Sequence, residues 1–259
     1  MGGLQIAALR LYVAALAIFL ILRLMNVPVS FNLKDRYFWL TVVATVVNYI
    51  FFHIGLEHTG AANAMVLENT APFFVLVFLF FFARSSVRPR DILATVIAIT
   101  GVFLTVYQDF EGAGERRFGD ALEIAAGLSW AVFLFASSKA MRASNSTGER
   151  LNFLLGIFAF SALLLTPLAV MDTGSPSMND LFFLLLLGVL PTAMAYYFWY
   201  EAAARVSTLT ATMMFACSVV FTFINAAMFL GDPVTLLAGF GAVLIVSAVF
   251  LTSKDDTQD

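Results

Sequence analysis

Cysteine is nearly missing: Cys217 stands alone among 259 residues. One thiol excludes an internal disulfide and any metal cluster held by cysteines. Histidine is almost as scarce, with only His53 and His58, and these show no metal-ligand spacing. No metal and no cofactor is therefore expected. Charge is thin as well. Asp, Glu, Lys and Arg make up 12% of the chain, and the net charge of −3 gives nucleic acid no basic footprint. The phosphate-binding Gly-Lys-Ser/Thr signature is also missing, so the sequence carries no nucleotide-driven motor.

What is present instead is hydrocarbon. Apolar residues are 61% of the chain, 28 of them Phe, and the mean hydropathy is +0.92. A single soluble globule cannot hide that much apolar surface, because its own exterior must be wetted. A soluble enzyme is excluded, and a polytopic membrane protein remains.

A helix crossing about 30 Å of hydrocarbon needs about 20 mostly apolar residues. Nine stretches qualify: Leu4–Leu24, Phe38–Leu56, Ala62–Phe82, Ile92–Tyr107, Ala121–Ala140, Leu151–Met171, Leu181–Glu201, Thr208–Leu230 and Val234–Thr252. Sustained alternation is absent, which argues for helices over barrel strands. Ile92–Tyr107 is short and is expected to use Asp91 and Gln108 as interfacial ends. The first apolar run lacks a small-residue cleavage site, so no cleaved signal peptide is expected.

Lysine and arginine in short loops set orientation. With the amino terminus outside, the cytoplasmic side receives Arg23, Lys34, Arg36, Arg84, Arg88, Arg90, Lys139, Arg142, Arg150, Arg205 and Lys254. The opposite side receives only Arg116 and Arg117, and Arg10 lies within the first span. This alternation supports nine spans, a cytoplasmic carboxyl terminus and, lacking a targeting segment, a prokaryotic plasma membrane.

The chain also repeats itself. Gly101-Val102-Phe103-Leu104-Thr105 recurs as Ala248-Val249-Phe250-Leu251-Thr252. Asn63-Ala64 lines up with Thr210-Ala211, Pro72 with Ser218, and the loop from Arg84 with the loop from Gly231. Spans one to four thus echo spans six to nine with opposite expected direction, an arrangement that places a transport pathway at the repeat interface.

Four pieces carry a likeness to a known family: Ala8-Leu9-Arg10-Leu11; Gly60-Ala61-Ala62-Asn63-Ala64 leading to Thr70-Ala71-Pro72-Phe73-Phe74; Leu128-Ser129-Trp130-Ala131; and Leu230-Gly231-Asp232-Pro233-Val234-Thr235. In this order they resemble the EamA-like branch of the drug/metabolite transporter superfamily. The resemblance implies ten helices as two inverted five-helix repeats. This sequence is similar to that pattern without its first helix. It implies an all-α bundle of nine transmembrane helices in a 4+5 inverted repeat, residues 4–107 forming the incomplete first repeat and 118–254 the second. Departures are Ser218 at the second-repeat proline position and Ser85 where an acid would echo Asp232.

Ionisable side chains inside spans cost about 2.5–3.5 kcal/mol on insertion scales and default to functional hypotheses. Arg10 lies six residues beyond Leu4, and Glu68 six beyond Ala62. At about 1.5 Å per residue both sit roughly 9 Å below the outer boundary, a depth at which they could pair. Such a pair could bind a zwitterion or exchange a proton; a structural tether is the competing reading. Tyr49, His53 and Glu57 share one face of span two. His53 is a candidate for proton coupling, set against a hydrogen-bonded core histidine. Asn69 follows Glu68, and Pro72 frees the carbonyl of Glu68, making Pro72 a candidate hinge. Trp130, Tyr196, Tyr200, Ser218 and Asn225 complete the candidate pathway. For the aromatics packing is the competing reading, whereas Asn225 is expected to face the bundle. Glu123, Lys139 and Glu201 lie near span ends and read as snorkelling or capping groups. Asn145-Ser146-Thr147 matches a glycosylation acceptor but falls in a loop expected to be cytoplasmic.

The sequence thus points to a secondary transporter of a small polar organic solute, an amino acid, metabolite or drug, most simply an exporter working by alternating access. Its partners are the solute and the lipid bilayer, with proton coupling and a homodimer left open. A non-transporting scaffold is the alternative, and an intramembrane enzyme the remote one, since no deep aspartate pair or nucleophile–base motif exists.

Overall fold

In hydrocarbon every backbone N–H and C=O must be satisfied within the segment, and long apolar runs meet that demand as helices. A computed structural model describes all residues except 60, 83–86, 106, 108–116, 143, 145, 172–173, 175–176, 226, 229–234 and 254–259. The expectations for Arg84, Ser85, Arg116, Asn145, Asp232 and Lys254 lie outside the described residues, as do the side chains of residues 61–63.

The elements are α1 (Gly3–Leu24), α2 (Arg36–His58), α3 (Ala61–Glu68), α4 (Ala71–Phe82), α5 (Pro89–Thr105), α6 (Arg117–Arg142), α7 (Thr147–Met171) and α8 (Met178–Leu187). A π-helical segment (Gly188–Met194) then leads to α9 (Ala195–Ala203), α10 (Thr208–Asn225) and α11 (Leu236–Ser253). Among the described residues there is no strand, and these elements form nine helical runs, seven of them long and apolar enough to cross a membrane. The chain is an all-α polytopic membrane protein. At the expected fourth span the helix is short: α5 has 17 residues, with Asp91 in its first turn.

Helix ends follow local chemistry. Ser177 and Asp180 form a reciprocal capping box at α8. Asp35 accepts from the Tyr37 amide at 2.8 Å to open α2, and Ser146 caps α7 by accepting from Glu149 at 3.2 Å. After α1, Asn26 turns left-handed at φ 55°, while the Asn26 and Val27 amides donate to the Arg23 and Leu22 carbonyls. That Schellman turn, followed by Pro28, stops the helix.

Two expected spans are not continuous α-helices. Ala62–Phe82 is cut at Asn69-Thr70 into α3 and α4, with Pro72 in the first turn of α4, where its missing N–H is tolerated. Leu181–Glu201 contains the π-helical segment around Pro191. Pro191 cannot donate to the Leu187 carbonyl, and the Thr192 hydroxyl does so instead at 2.7 Å.

The chain divides into two compact units. One comprises Met1–His53 with Ala136–Ala204, and the other Ile54–Phe135 with Arg205–Asp259. In the first, α1 packs along α7. Its inner stripe holds Ala7, Ala8, Leu11, Ala14, Ala15, Ile18 and Leu22, small residues that let the helices approach closely, while Leu16, Leu20 and Leu24 face outward. In the second unit α5 packs on α11. A Cβ on Gly101 would stand 2.7 Å from the Gly241 carbonyl oxygen, and one on Gly241 would stand 2.6 Å from that of Gly101. Val66, Val102, Ala216, Val219 and Ile245 form the core around this crossing.

Candidate functional site

In the first unit the half-buried arginine of α1 is held by an aromatic side chain. Arg10 donates from Nη2 to the Tyr49 hydroxyl at 2.7 Å, and its guanidinium lies 4.8 Å from the Tyr49 ring centroid. Both contacts stabilise the cation in a low-dielectric setting. Tyr196 shares a side-chain hydrogen bond with Tyr49 and feels the charge of Arg10. The π-helical segment delivers this side of the cluster: a Cβ on Gly188 would collide with the Val13 side chain and stand 3.1 Å from the Arg10 carbonyl oxygen. His53 tilts against Tyr49 with ring centroids 6.0 Å apart. Its Nδ1 would lie 3.2 Å from a Cβ on Gly3, so the start of α1 covers the imidazole. Tyr200 is buried and packs edge-on against Phe153 at 5.8 Å. Its place is the core.

The same unit has a cleft of about 310 Å³ lined by Ser30, Asp35, Glu149 and Asn152 among others. Asn152 fixes its wall, accepting from the Ser30 amide at 3.0 Å and donating to the Pro28 carbonyl at 3.1 Å.

In the second unit the polar groups gather at the α3–α4 interruption. Asn69 is 5% exposed; its Nδ2 donates to the Met65 carbonyl at 2.9 Å, which leaves Oδ1 without a donor among the described residues. Thr70 donates to the Leu67 carbonyl at 2.6 Å. Helix α6 docks here through Gly127, where a Cβ would stand 2.9 Å from the carbonyl oxygens of Leu67 and Glu68 and from the Thr70 hydroxyl. The absent side chain thus permits the contact. One turn earlier on α6, Glu123 is 0% exposed, and neither carboxylate oxygen has a hydrogen-bond donor among the described residues. Carboxylates of Glu68 and Asp120 act on it electrostatically. Asp120 itself accepts from the Thr59 hydroxyl at 2.6 Å. Trp130 stacks on Phe133 with centroids 4.5 Å apart and planes 8° from parallel, and tilts against Phe215 at 4.9 Å.

Several expectations need correcting. Glu123 is no snorkelling group but a buried one. Glu201 is no cap: its two oxygens take Arg150 bidentately, at 2.7 Å from Nε and 3.0 Å from Nη2. Asn225 and Ser218 are exposed. Arg10 meets Tyr49 within the first unit, and Glu68 acts on Glu123 within the second. Glu57 and His58 are exposed. Among the described residues no cluster of three or more His, Cys, Asp or Glu could hold a metal.

Among the described residues, nine helical runs, two of them interrupted, mark an integral membrane protein. The chain belongs to the EamA-like transporter family, which it matches over residues 1–107 and 117–254. It is 28% identical to an uncharacterised transporter of Archaeoglobus fulgidus over 81% of this chain and 73% of that protein. It is 24% identical to the threonine/homoserine exporter RhtA of Escherichia coli over 77% of this chain and 65% of that one, and 21% identical to the transporter YetK of Bacillus subtilis over 76% and 61%. The chain therefore spans less than two thirds of the last two. One crystal structure shares its fold, with a TM-score of 0.81 at 17% identity over 98% of this chain and 89% of its own. These relatives are transporters, and this chain is a membrane transporter.

Proposed function

We propose that the chain is a secondary active exporter of a small polar organic solute, of the amino-acid class, working by alternating access in a prokaryotic plasma membrane. The carrying observation is the interrupted span α3–α4, which places Glu68 and the unsatisfied Oδ1 of Asn69 inside an otherwise apolar segment. Non-helical backbone at membrane depth is tolerated only where protein or a watery cavity receives it. Within the first unit, Arg10 with Tyr49 and Tyr196 forms a polar cluster of its own, a cation and two hydroxyls suited to a carboxylate. The threonine/homoserine exporter among the relatives favours an amino acid as the solute. The reading carries with it the two inverted repeats, residues 4–107 and 118–254, and a cytoplasmic carboxyl terminus. Candidate pathway groups remain Arg10, His53, Glu68, Asn69, Trp130, Tyr196, Ser218 and Asn225, with Pro72 as hinge.

Counterflow tests the proposal. Proteoliposomes loaded with unlabelled amino acids should draw in labelled threonine or another member of the panel faster than empty liposomes, and Glu68→Gln should abolish or uncouple that movement. Equal uptake by both vesicle types across the panel would contradict it.

A further inference from the structure

Among the described residues, Glu123 is the one carboxyl group that is wholly enclosed with both oxygens lacking a donor. Its enclosure is built. Six positions after Arg117, it lies against the C-terminal turn of α2, where a Cβ on Gly55 would stand 2.6 Å from its Oε1. Any side chain at position 55 would displace the carboxyl. On the other flank Gly127 brings α6 onto the α3–α4 interruption, which carries Glu68.

An ionised carboxylate in such a place loses its hydration and gains nothing in return. The charges acting on it make matters worse, because Glu68 and Asp120 are both acidic. Elsewhere on the elements packed around it, Glu57 and His58 on α2 and Arg117 at the start of α6 are exposed, and α4 brings no titratable side chain among its described residues. Carrying a proton removes the charge whose burial is costly. Asp120 accepts from the Thr59 hydroxyl, whereas neither Glu123 oxygen has a donor among the described residues.

We propose that the enclosed Glu123 is the proton-binding site of this transporter. On binding, a proton from water forms an O–H bond with a Glu123 oxygen and removes its negative charge. On release that bond breaks, the electron pair stays on the carboxylate, and the proton returns to water. The coupling role rests on the exporter reading, whereas the buried proton itself does not.

The experiment has two arms on the full chain in phosphatidylcholine liposomes. Infrared spectra read the carbonyl stretch of a protonated carboxylic acid, which shifts in deuterated water. At about pH 7 wild-type protein should show this band although a free Glu is ionised there, E123Q should lose it, and E57Q should keep it. A wild-type spectrum without the band, which needs no variant to fold, overturns the proposal. So does a band in E123Q equal to that of wild type. In the second arm, E123Q should keep counterflow of the transported amino acid while losing accumulation driven by a pH gradient. Gradient-driven accumulation equal to wild type overturns the coupling role. If wild type moves no amino acid at all, the exporter reading fails, and the infrared arm still decides the proton site.

Discussion

Gly101 and Gly241 face each other across the α5–α11 crossing, each standing within van der Waals reach of the other's carbonyl oxygen. Neither position has room for one more carbon. The crossing needs that closeness because lipid tails solvate apolar side chains as well as protein does, so helix association rests on packing.

Gly241→Ala should therefore push the two helices apart. Overpacking of this kind destabilises by about 1–3 kcal/mol. The thermal unfolding midpoint in detergent should fall for Gly241→Ala and for Gly101→Ala alike. Gly239, which has open space around it, should accept Ala without loss.

The Arg150–Glu201 pair is bidentate with side chains only 13% and 15% exposed. Glu201→Gln removes the charge and leaves Arg150 enclosed with a weaker partner. A loss approaching about 3 kcal/mol is expected, the lower end for breaking a buried pair, because some solvent reaches this one. Denaturant or thermal unfolding measures it. A midpoint unchanged from wild type would show the pair to be idle.

At Pro191 the Thr192 hydroxyl is the donor to the Leu187 carbonyl. Thr192→Val keeps the shape and deletes the donor, and should destabilise by about 1–3 kcal/mol. Amide exchange across Gly188–Met194 should rise together with this loss.

Tyr49→Phe removes the acceptor that Arg10 uses while keeping the ring beneath the guanidinium. With the exporter reading, counterflow should weaken through a higher KM more than through a lower maximal rate, because a binding group is loosened. Arg10→Lys should do more harm, since an ammonium cannot reproduce the planar fork.

Much of the architecture was legible because hydrocarbon enforces a length and a period. The nine apolar runs, the short span beginning near Asp91 and the Pro28 stop are all written locally. Glu123 was misread for a physical reason. Taking the fifth span to begin at Ala121 put Glu123 at an interface, but α6 begins at Arg117 and carries it inward. The Arg150–Glu201 pair joins residues 51 positions apart, and no local pattern announces it. Pro72 announced a disturbance near Glu68, although it starts a new helix instead of bending one. The π-helical segment was invisible because Pro191 sits in a run apolar enough to pass for an ordinary span.

Gradient-driven flux is the most direct measurement. Proteoliposomes holding the full chain, with a pH difference imposed across the bilayer, should accumulate a labelled amino acid above its equilibrium level, lose it on adding a protonophore, and fail to do so with Glu123→Gln. Accumulation that ignores the protonophore, or uptake indistinguishable from protein-free vesicles for every amino acid offered, would contradict a proton-driven exporter.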